Sequence, residues 1–271
     1  MKGIISDQKG KDVFVLADID FPAELVIDPD EYWGVKRAVD DFKNDIKKVS
    51  GRPVQVKESR DGFSSHIVIC GTIGKNKMLK FLEEKGLLDL KKISGKWETY
   101  TIQTVEEPMP GVKKALVIAG SDKRGSIYGI YELSRQMGVS PWYWWADVPV
   151  KRRDGIYIKQ GTYFSGEPSV KYRGIFLNDE APSLTSWVEK RFGTFNHLFY
   201  EKVFELLLRL KANYLWPAMW KPRVFNKEDP LNPVMADKYG IVMGTSHHEP
   251  MMRSWTEWGM ADKGKWNYRT N

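Results

Sequence analysis

The chain has 271 residues, of which 42% are hydrophobic and 28% are charged, and its formal net charge is +7. These proportions are typical of a folded protein with one large or two ordinary domains, so extended disorder is not favoured. Basic residues are interleaved with acids and no nucleic-acid-binding motif occurs, so nucleic acid is not an expected partner. No run of about 18 apolar residues predicts a membrane span. The single cysteine, Cys70, excludes an internal disulfide and disfavours a zinc cluster.

Residues 1–148 alternate strand and helix patterns and predict a small α/β domain. An amphipathic segment from about Asp30 to Val49 predicts a helix that is capped at Asp28 and buries Trp33. Farther along, the glycine-rich turn 120–125 joins a strand to a helix. Such turns bind phosphate in some folds, but this spacing fits neither the Walker loop nor the dinucleotide fingerprint. Residues 149–170 are rich in turn formers and are predicted to be a linker.

Residues 171–271 predict either the first part of a TIM (β/α)8 barrel, about three β/α units long, or the opening of a doubly wound sheet, and the barrel is the expected fold. Apolar runs predict strands and periodic segments predict helices in the order strand 172–177, helix 196–210, strand 213–216, helix 233–239 and strand 241–244. The first strand, which begins near Gly174, is predicted to be covered on both faces. Eight such units need about 250 residues, so the barrel is expected to be incomplete in this chain, which is expected to be a fragment.

Acidic residues follow the first predicted barrel strand, where Asn178, Asp179 and Glu180 end the apolar run. The carboxyl ends of barrel strands carry the active site, and carboxylates there serve acid–base catalysis or bind sugar hydroxyls. Neighbouring residues on an extended segment point to opposite sides, so at most one of the two acids is expected to face a pocket. The alternative is structural, with one acid capping the next helix or pairing with a base such as Arg191.

The other two strand ends carry aromatic and imidazole groups. Trp216 and Trp220 are either a platform for stacking sugars or packing at the barrel rim. His247, His248 and Glu249 do not have the spacing of the helical metalloprotease motif, so a hydrogen-bonding or proton-relaying histidine is favoured over a purely structural role and over a metal site. Carboxylates, histidines and aromatic faces at strand ends together favour carbohydrate chemistry.

Four motifs carry a resemblance to a known family. Residues 119–129, continued by 138–145, are similar to the end of the small α/β domain that precedes the catalytic barrel in several glycosidase families, hexosaminidases included. The barrel motifs are G-I-F-L-N-D-E-A-P, N-Y-L-W-P-A-M-W and G-T-S-H-H-E-P-M, which begin at Gly174, Asn213 and Gly244. With these motifs the chain resembles glycoside hydrolase family 115, the xylan α-1,2-glucuronidases, over nearly its whole length.

The resemblance implies hydrolysis, with inversion, of (4-O-methyl)glucuronic acid side groups on xylan or glucuronoxylan oligosaccharides, without a metal or organic cofactor. Inversion requires a general acid and a general base about 6.5–9.5 Å apart. Matching by motif gives the catalytic candidates Asp179, Glu180 and His248. The substrate-binding candidates are Asn178, Trp216, Trp220, His247 and Glu249.

The resemblance further implies that later barrel strands, absent from this chain, carry the general acid and base, and that the fragment alone is inactive. It implies a secreted or periplasmic location and leaves open a homodimer formed through domains absent here, while the residues themselves predict no nucleic-acid or membrane partner. Two alternatives remain open from the residues: a non-catalytic carbohydrate-binding protein, and a related glycosidase of hexosaminidase type.

Overall fold

The computed structural model describes residues 3–58, 62–178, 181–217, 219, 223–245, 252–254, 257, 264–265 and 267–269. It divides into two compact units, Met1–Lys171 and Tyr172–Asn271. The strands of the first unit are β1 (Ile5–Ser6), β2 (Val13–Ala17), β3 (Glu24–Ile27), β4 (Val56–Lys57), β5 (His66–Thr72), β6 (Tyr100–Met109), β7 (Val112–Gly120), β8 (Ile156–Lys159) and β9 (Thr162–Ser165). Its helices are α1 (Trp33–Ser50), α2 (Lys77–Glu84) and α3 (Lys123–Gln136).

A six-stranded sheet in the order β4-β3-β5-β7-β6-β9 forms the centre of the first unit. The first four strands in this order are parallel, whereas β6 pairs antiparallel with β7 and with β9. A smaller antiparallel sheet has the order β1-β8-β2. The α/β class predicted from the alternating patterns is confirmed.

Helices cover both faces of the large sheet because successive strand residues point to opposite sides. On one face, Leu79 and Leu82 of α2 belong to a buried cluster with Ile67 and Ile69 of β5. On the other face α3 approaches closely, since a Cβ added at Gly129 would lie 2.8 Å from the side chain of Ile118. Helix α1 packs against α3. The sheet is therefore buried on both sides, as its apolar strands require.

Helix α1 begins at Trp33, later than predicted, and Tyr32 precedes it without a side-chain cap. The carboxylate of Asp28 is engaged elsewhere: it accepts hydrogen bonds from the backbone N–H of Asp30 and from that of Lys77 in the first turn of α2, both at 3.0 Å. Asp28 therefore stabilises a turn and a second helix instead of capping α1. Trp33 is 38% exposed, so the prediction that it belongs to the buried stripe is wrong.

The glycine-rich turn before α3 is closed by an acid of its own. Asp122 accepts hydrogen bonds from the backbone N–H of Gly125 at 2.7 Å and of Glu98 at 2.9 Å. A carboxylate thus lies at the amino end of α3, where it satisfies free N–H groups and matches the helix dipole. The carboxylate of Asp122 occupies the position that a bound phosphate would take, and its negative charge would repel a phosphate. The turn therefore serves as a helix cap and not as a phosphate site.

The segment 149–170 contains two strands that pair within the first unit, so it differs from the predicted linker. β8 pairs with β1 and β2, and β9 pairs with β6 over residues 100–103. Their turn-rich sequence is explained by short strands separated by Gly161, whose φ is 142°. Such a φ favours glycine.

The second unit contains a three-stranded parallel sheet in the order β10 (Gly174–Phe176), β11 (Tyr214–Trp216) and β12 (Val242–Met243). Its helices are α4 (Ser183–Phe192), α5 (His197–Arg209), α6 (Phe225–Glu228) and α7 (Leu231–Tyr239). The predicted alternation of strands and helices is confirmed, and α4 and α6 are additional to it. This is the strand order with which a (β/α) barrel begins.

The strand β10 is exposed, which corrects the prediction that it is covered on both faces. Ile175 is 41% exposed and Phe176 is 51% exposed. The cause is its position, because β10 lies at the edge of the sheet and pairs with β11 alone among the described strands. Leu215 of β11, between two neighbours, is fully buried. None of the described helices has the length and apolarity that crossing a bilayer needs.

Candidate active site

The three strands of the second unit's sheet are parallel, so the segments that follow them all start at the same end of the sheet, where the strands have their carboxyl ends. The pairing of the strands continues past their assigned ends, with Leu177 donating its N–H to the carbonyl of Trp216 at 2.8 Å and Gly244 donating to that of Leu215 at 3.0 Å. Asn178, which follows directly, is exposed. The carboxyl ends of parallel strands are where sites form in barrels and open α/β sheets.

An aromatic surface covers this end of the sheet and consists of Phe176, Tyr214 and Trp216. Phe176 and Trp216 are register partners on β10 and β11, and their rings meet edge to face with centroids 5.7 Å apart. The indole N–H of Trp216 donates a hydrogen bond of 2.7 Å to the hydroxyl of Tyr214. This bond satisfies the polar atom of the indole while leaving its apolar ring half-exposed.

Two glycines make room for Tyr214. A Cβ added at Gly174 would collide with the carbonyl oxygen of Tyr214, and one added at Gly244 would collide with its hydroxyl. The Cβ at Gly244 would also lie 2.8 Å from the indole nitrogen of Trp216. The aromatic surface therefore depends on the absence of side chains on both neighbouring strands. Sequence reasoning identified Trp216 but missed Phe176 and Tyr214, although the two-residue spacing of Tyr214 and Trp216 along β11 could have placed these two on one face.

Arg223 links the segment after β11 to the segment after β10. Its guanidinium donates to Glu189 of α4 at 2.5 Å and to Glu228 of α6 at 2.6 Å, and it lies 4.6 Å from the ring centroid of Phe195. Thr194 donates a further hydrogen bond to Glu228. Burial lowers the pKa of Arg223, but the hydrogen bonds to Glu189 and Glu228 outweigh it, so the net pKa is raised. We call Arg223, Glu189, Glu228 and Phe195 the Arg223 cluster.

Further hydrogen bonds reach the segment after β12. The side chain of Asn226 in α6 donates to the carbonyl of Met252 at 2.6 Å, and the hydroxyl of Ser254 donates to the carbonyl of Met219 at 3.3 Å. Ser254 is buried, and its N–H donates to Glu257 at 3.2 Å. The three segments that follow the parallel strands are thus connected through buried and half-buried polar contacts.

A histidine–carboxylate pair joins the start of α5 to the turn before α7. The Nδ1 of His197 lies 2.6 Å from Asp229, which also accepts the backbone N–H of His197 at 2.9 Å. Burial opposes ionisation of Asp229, but its hydrogen bonds from His197 and Leu231 outweigh burial and hold its pKa below the ordinary value. The pair fixes the amino end of α5 and contributes to the same framework as the Arg223 cluster.

Among the predicted site residues, Asn178 and Trp216 lie within the described part of the chain. The others lie outside the described residues: Asp179, Glu180, Trp220, His247, His248 and Glu249. The predicted alternative partner Arg191 lies over the ring of Trp187, with 5.1 Å to the centroid. Among the described residues, no group of three His, Cys, Asp or Glu side chains could hold a metal ion.

The comparisons with known proteins agree with these motifs. Residues 165–271 match the sequence profile of glycosyl hydrolase family 115. A solved family GH115 4-O-methyl-α-glucuronidase, with specificity for decorated arabinogalactans, is 34% identical and superimposes with a TM-score of 0.81 over 95% of this chain. Residues 165–271 belong to glycosyl hydrolase family 115. This family 115 segment contains β10, β11 and β12, and with them the aromatic surface and the Arg223 cluster.

The chain spans 33% of the length of that glucuronidase. A β-hexosaminidase from Streptomyces plicatus is 12% identical and has a TM-score of 0.48, covering 90% of this chain and 44% of its own. A GH20 β-N-acetylhexosaminidase from Streptomyces coelicolor A3(2) is 11% identical with a TM-score of 0.47 over the same shares. None of the curated proteins matches the chain.

Proposed function

We propose that the protein is a glycoside hydrolase that removes (4-O-methyl)glucuronic acid side groups from a decorated plant-type polysaccharide. The observation that carries this proposal is the 34% identity to a family GH115 4-O-methyl-α-glucuronidase over 95% of the chain. The strand ends support it, because an exposed amide and a half-exposed indole lie where barrel enzymes bind substrate. Polar side chains beside an aromatic face suit a sugar, which has both hydroxyls and an apolar C–H face.

The roles of the residues follow from the chemistry of inversion. A general acid protonates the leaving oxygen while a general base activates water on the opposite face of the sugar, about 6.5–9.5 Å away. We assign Asp179, Glu180 and His248 to the catalytic side of the pocket. Asn178 and Trp216 bind the uronate ring, and we assign Trp220, His247 and Glu249 to the same task. No metal or organic cofactor enters the reaction as we propose it.

Two polysaccharides could carry the glucuronic acid side groups. We propose glucuronoxylan as the substrate. Decorated arabinogalactan is the alternative that the specificity of the solved relative favours. The aromatic surface does not distinguish the two substrates, since it stacks on the uronate ring, which both polysaccharides carry.

The test uses the full product of the gene that encodes this chain, incubated with glucuronoxylan and with glucuronidated arabinogalactan. We expect release of free (4-O-methyl)glucuronic acid whose first-formed anomer, followed by proton NMR, is inverted relative to the substrate. Release of the retained anomer would contradict the mechanism, and release of N-acetylhexosamine from a hexosaminide would favour the hexosaminidase alternative. Binding to either polysaccharide without any product would favour a non-catalytic carbohydrate-binding protein.

A further inference from the structure

A groove on the first unit lies between α2 and the hairpin that joins β6 to β7. It has a volume of about 700 Å³, which is within the range of small-molecule sites. Phe81 contributes its 39% exposed ring from α2, and Pro108, Met109 and Pro110 contribute the apolar wall from the hairpin. A second cavity of about 210 Å³ shares Phe81 and Met109 with the groove. These residues are far in sequence from the family 115 segment, and no role proposed above uses them.

Two lysines give the groove a positive rim. Lys85, at the end of α2, and Lys113, on β7, both line it and are exposed. Lys77 lines the smaller cavity, but its ammonium lies 2.6 Å from Asp30 and is already paired. Within the part of the chain that the structure describes, neither Lys85 nor Lys113 has a carboxylate partner. Glu107 is the acid among the described residues of the lining, so the groove is positive overall.

The ammonium of Lys85 lies over the ring of Phe81, 5.9 Å from its centroid, so a cation borders an exposed apolar ring. A ligand that used both would need a flat apolar face and an anionic group on the same ring. A uronic acid has this combination, with C–H groups on one face of the pyranose and a carboxylate at its edge. A neutral sugar would leave both lysines without partners, and a plain phosphate would leave the apolar wall in water.

We propose that this groove is an accessory binding site for uronic-acid-bearing oligosaccharide, with the pyranose on Phe81 and the carboxylate between Lys85 and Lys113. The proposal rests on the proposed function, since the ligand is of the same class as the substrate. An exposed ring and two ammonium groups give modest, salt-sensitive binding. Such a site raises the local concentration of polysaccharide near the enzyme and takes no part in the reaction.

The experiment titrates the 271-residue chain with a xylotetraose that carries one 4-O-methylglucuronic acid, and follows the methyl signals of methionine by NMR. Met109 lines both cavities and serves as the reporter, assigned through Met109→Leu. We expect saturable shifts of the Met109 methyl, with Kd raised about tenfold in Lys85→Gln/Lys113→Gln and shifts much weakened in Phe81→Ala. The matched control is Lys47→Gln/Lys151→Gln, which removes the same charge from two exposed lysines that do not line the groove.

An unmoved Met109 signal would overturn the proposal, as would equal binding by the control and by Lys85→Gln/Lys113→Gln. Equally tight binding of unsubstituted xylotetraose would also overturn it, because the carboxylate would then contribute nothing. Displacement of the sugar by an oligoglutamate with the same concentration of carboxylates would overturn it too, because the pyranose would then contribute nothing. The outcome is independent of catalysis. Shifts at Met109 without release of glucuronic acid by the full gene product would support the accessory site and reject the proposed function. Release of glucuronic acid without shifts at Met109 would reject the accessory site alone.

Discussion

Replacing Arg223 by Met tests whether the Arg223 cluster holds the segments of the candidate active site together. The side chain of Arg223 is 8% exposed and that of Glu228 is 14% exposed, so their ion pair is largely desolvated. Glu189 is 50% exposed, and water replaces much of what its hydrogen bond contributes. We therefore assign roughly 0.2–1 kcal/mol to the Glu189 contact. Loss of the guanidinium opposite Glu228 adds about 2–3 kcal/mol, because a nearly buried carboxylate is left with fewer donors.

The expected total is a loss of about 2–4 kcal/mol in the free energy of local opening of the second unit. Hydrogen–deuterium exchange of peptides from α4 and α5 measures this quantity in the intact chain, without requiring that the two units unfold together. Arg223→Lys keeps the charge but cannot bridge two carboxylates as a planar guanidinium does, so it should restore less than half of the loss.

A double-mutant cycle with Glu228→Gln should give a coupling energy of about 1–3 kcal/mol, because the two groups are in direct contact. The control is Lys190→Met, which removes an exposed positive charge from α4. Exchange in α4 and α5 that stays within about 0.5 kcal/mol of the wild type in Arg223→Met would refute the reasoning, since that is the range of ordinary surface substitutions.

Three other changes test separate parts of the second unit. Gly174→Ala would place a methyl group against the carbonyl of Tyr214, so we expect a loss of about 1–3 kcal/mol in the same exchange assay. Asp229→Asn removes a carboxylate whose pKa is held below its ordinary value of 3.8. The wild type should therefore be more stable than the variant above pH 3.8 and should lose this advantage as the pH falls below that value. Thermal unfolding of both proteins, measured between about pH 5 and 2.5, tests this. Under the proposed function, Trp216→Leu in the full gene product should lower kcat/KM for glucuronoxylan by about tenfold to a hundredfold, chiefly through KM, because the indole is proposed to bind the sugar.

Each of these has a matched control. Gly166→Ala adds a methyl group where a Cβ would meet nothing within 4 Å, and it should leave stability unchanged. Asp154→Asn removes an exposed carboxylate and should show the pH dependence of the wild type. If Trp216→Phe loses as much activity as Trp216→Leu, the indole N–H that bonds to Tyr214 matters more than the aromatic face.

Local patterns predicted the order of the elements, but the partners of polar side chains could not be read from them. The strands and the main helices of the second unit lie close to their predicted positions, because hydrophobic periodicity is a local property. The start of α1 was misplaced because Asp28 bonds to a backbone N–H that is 49 positions away. The Arg223 cluster escaped prediction for the same reason, since Glu189 is 34 positions from its partner. Helix α4 was missed because only Val188 of its residues is buried, which leaves a weak apolar stripe.

The candidate site was predicted as three separate strand ends, but in its described part the side chains of neighbouring strands pack against one another. Tyr214 fits between β10 and β12 only because Gly174 and Gly244 lack side chains, and its hydroxyl then accepts the indole N–H of Trp216. The glycines that open the first and third barrel motifs therefore serve a side chain in the second motif. Substitutions at either glycine should consequently move Trp216 as well as weaken the sheet, so under the proposed function loss of sugar binding and loss of stability should appear together at these two positions.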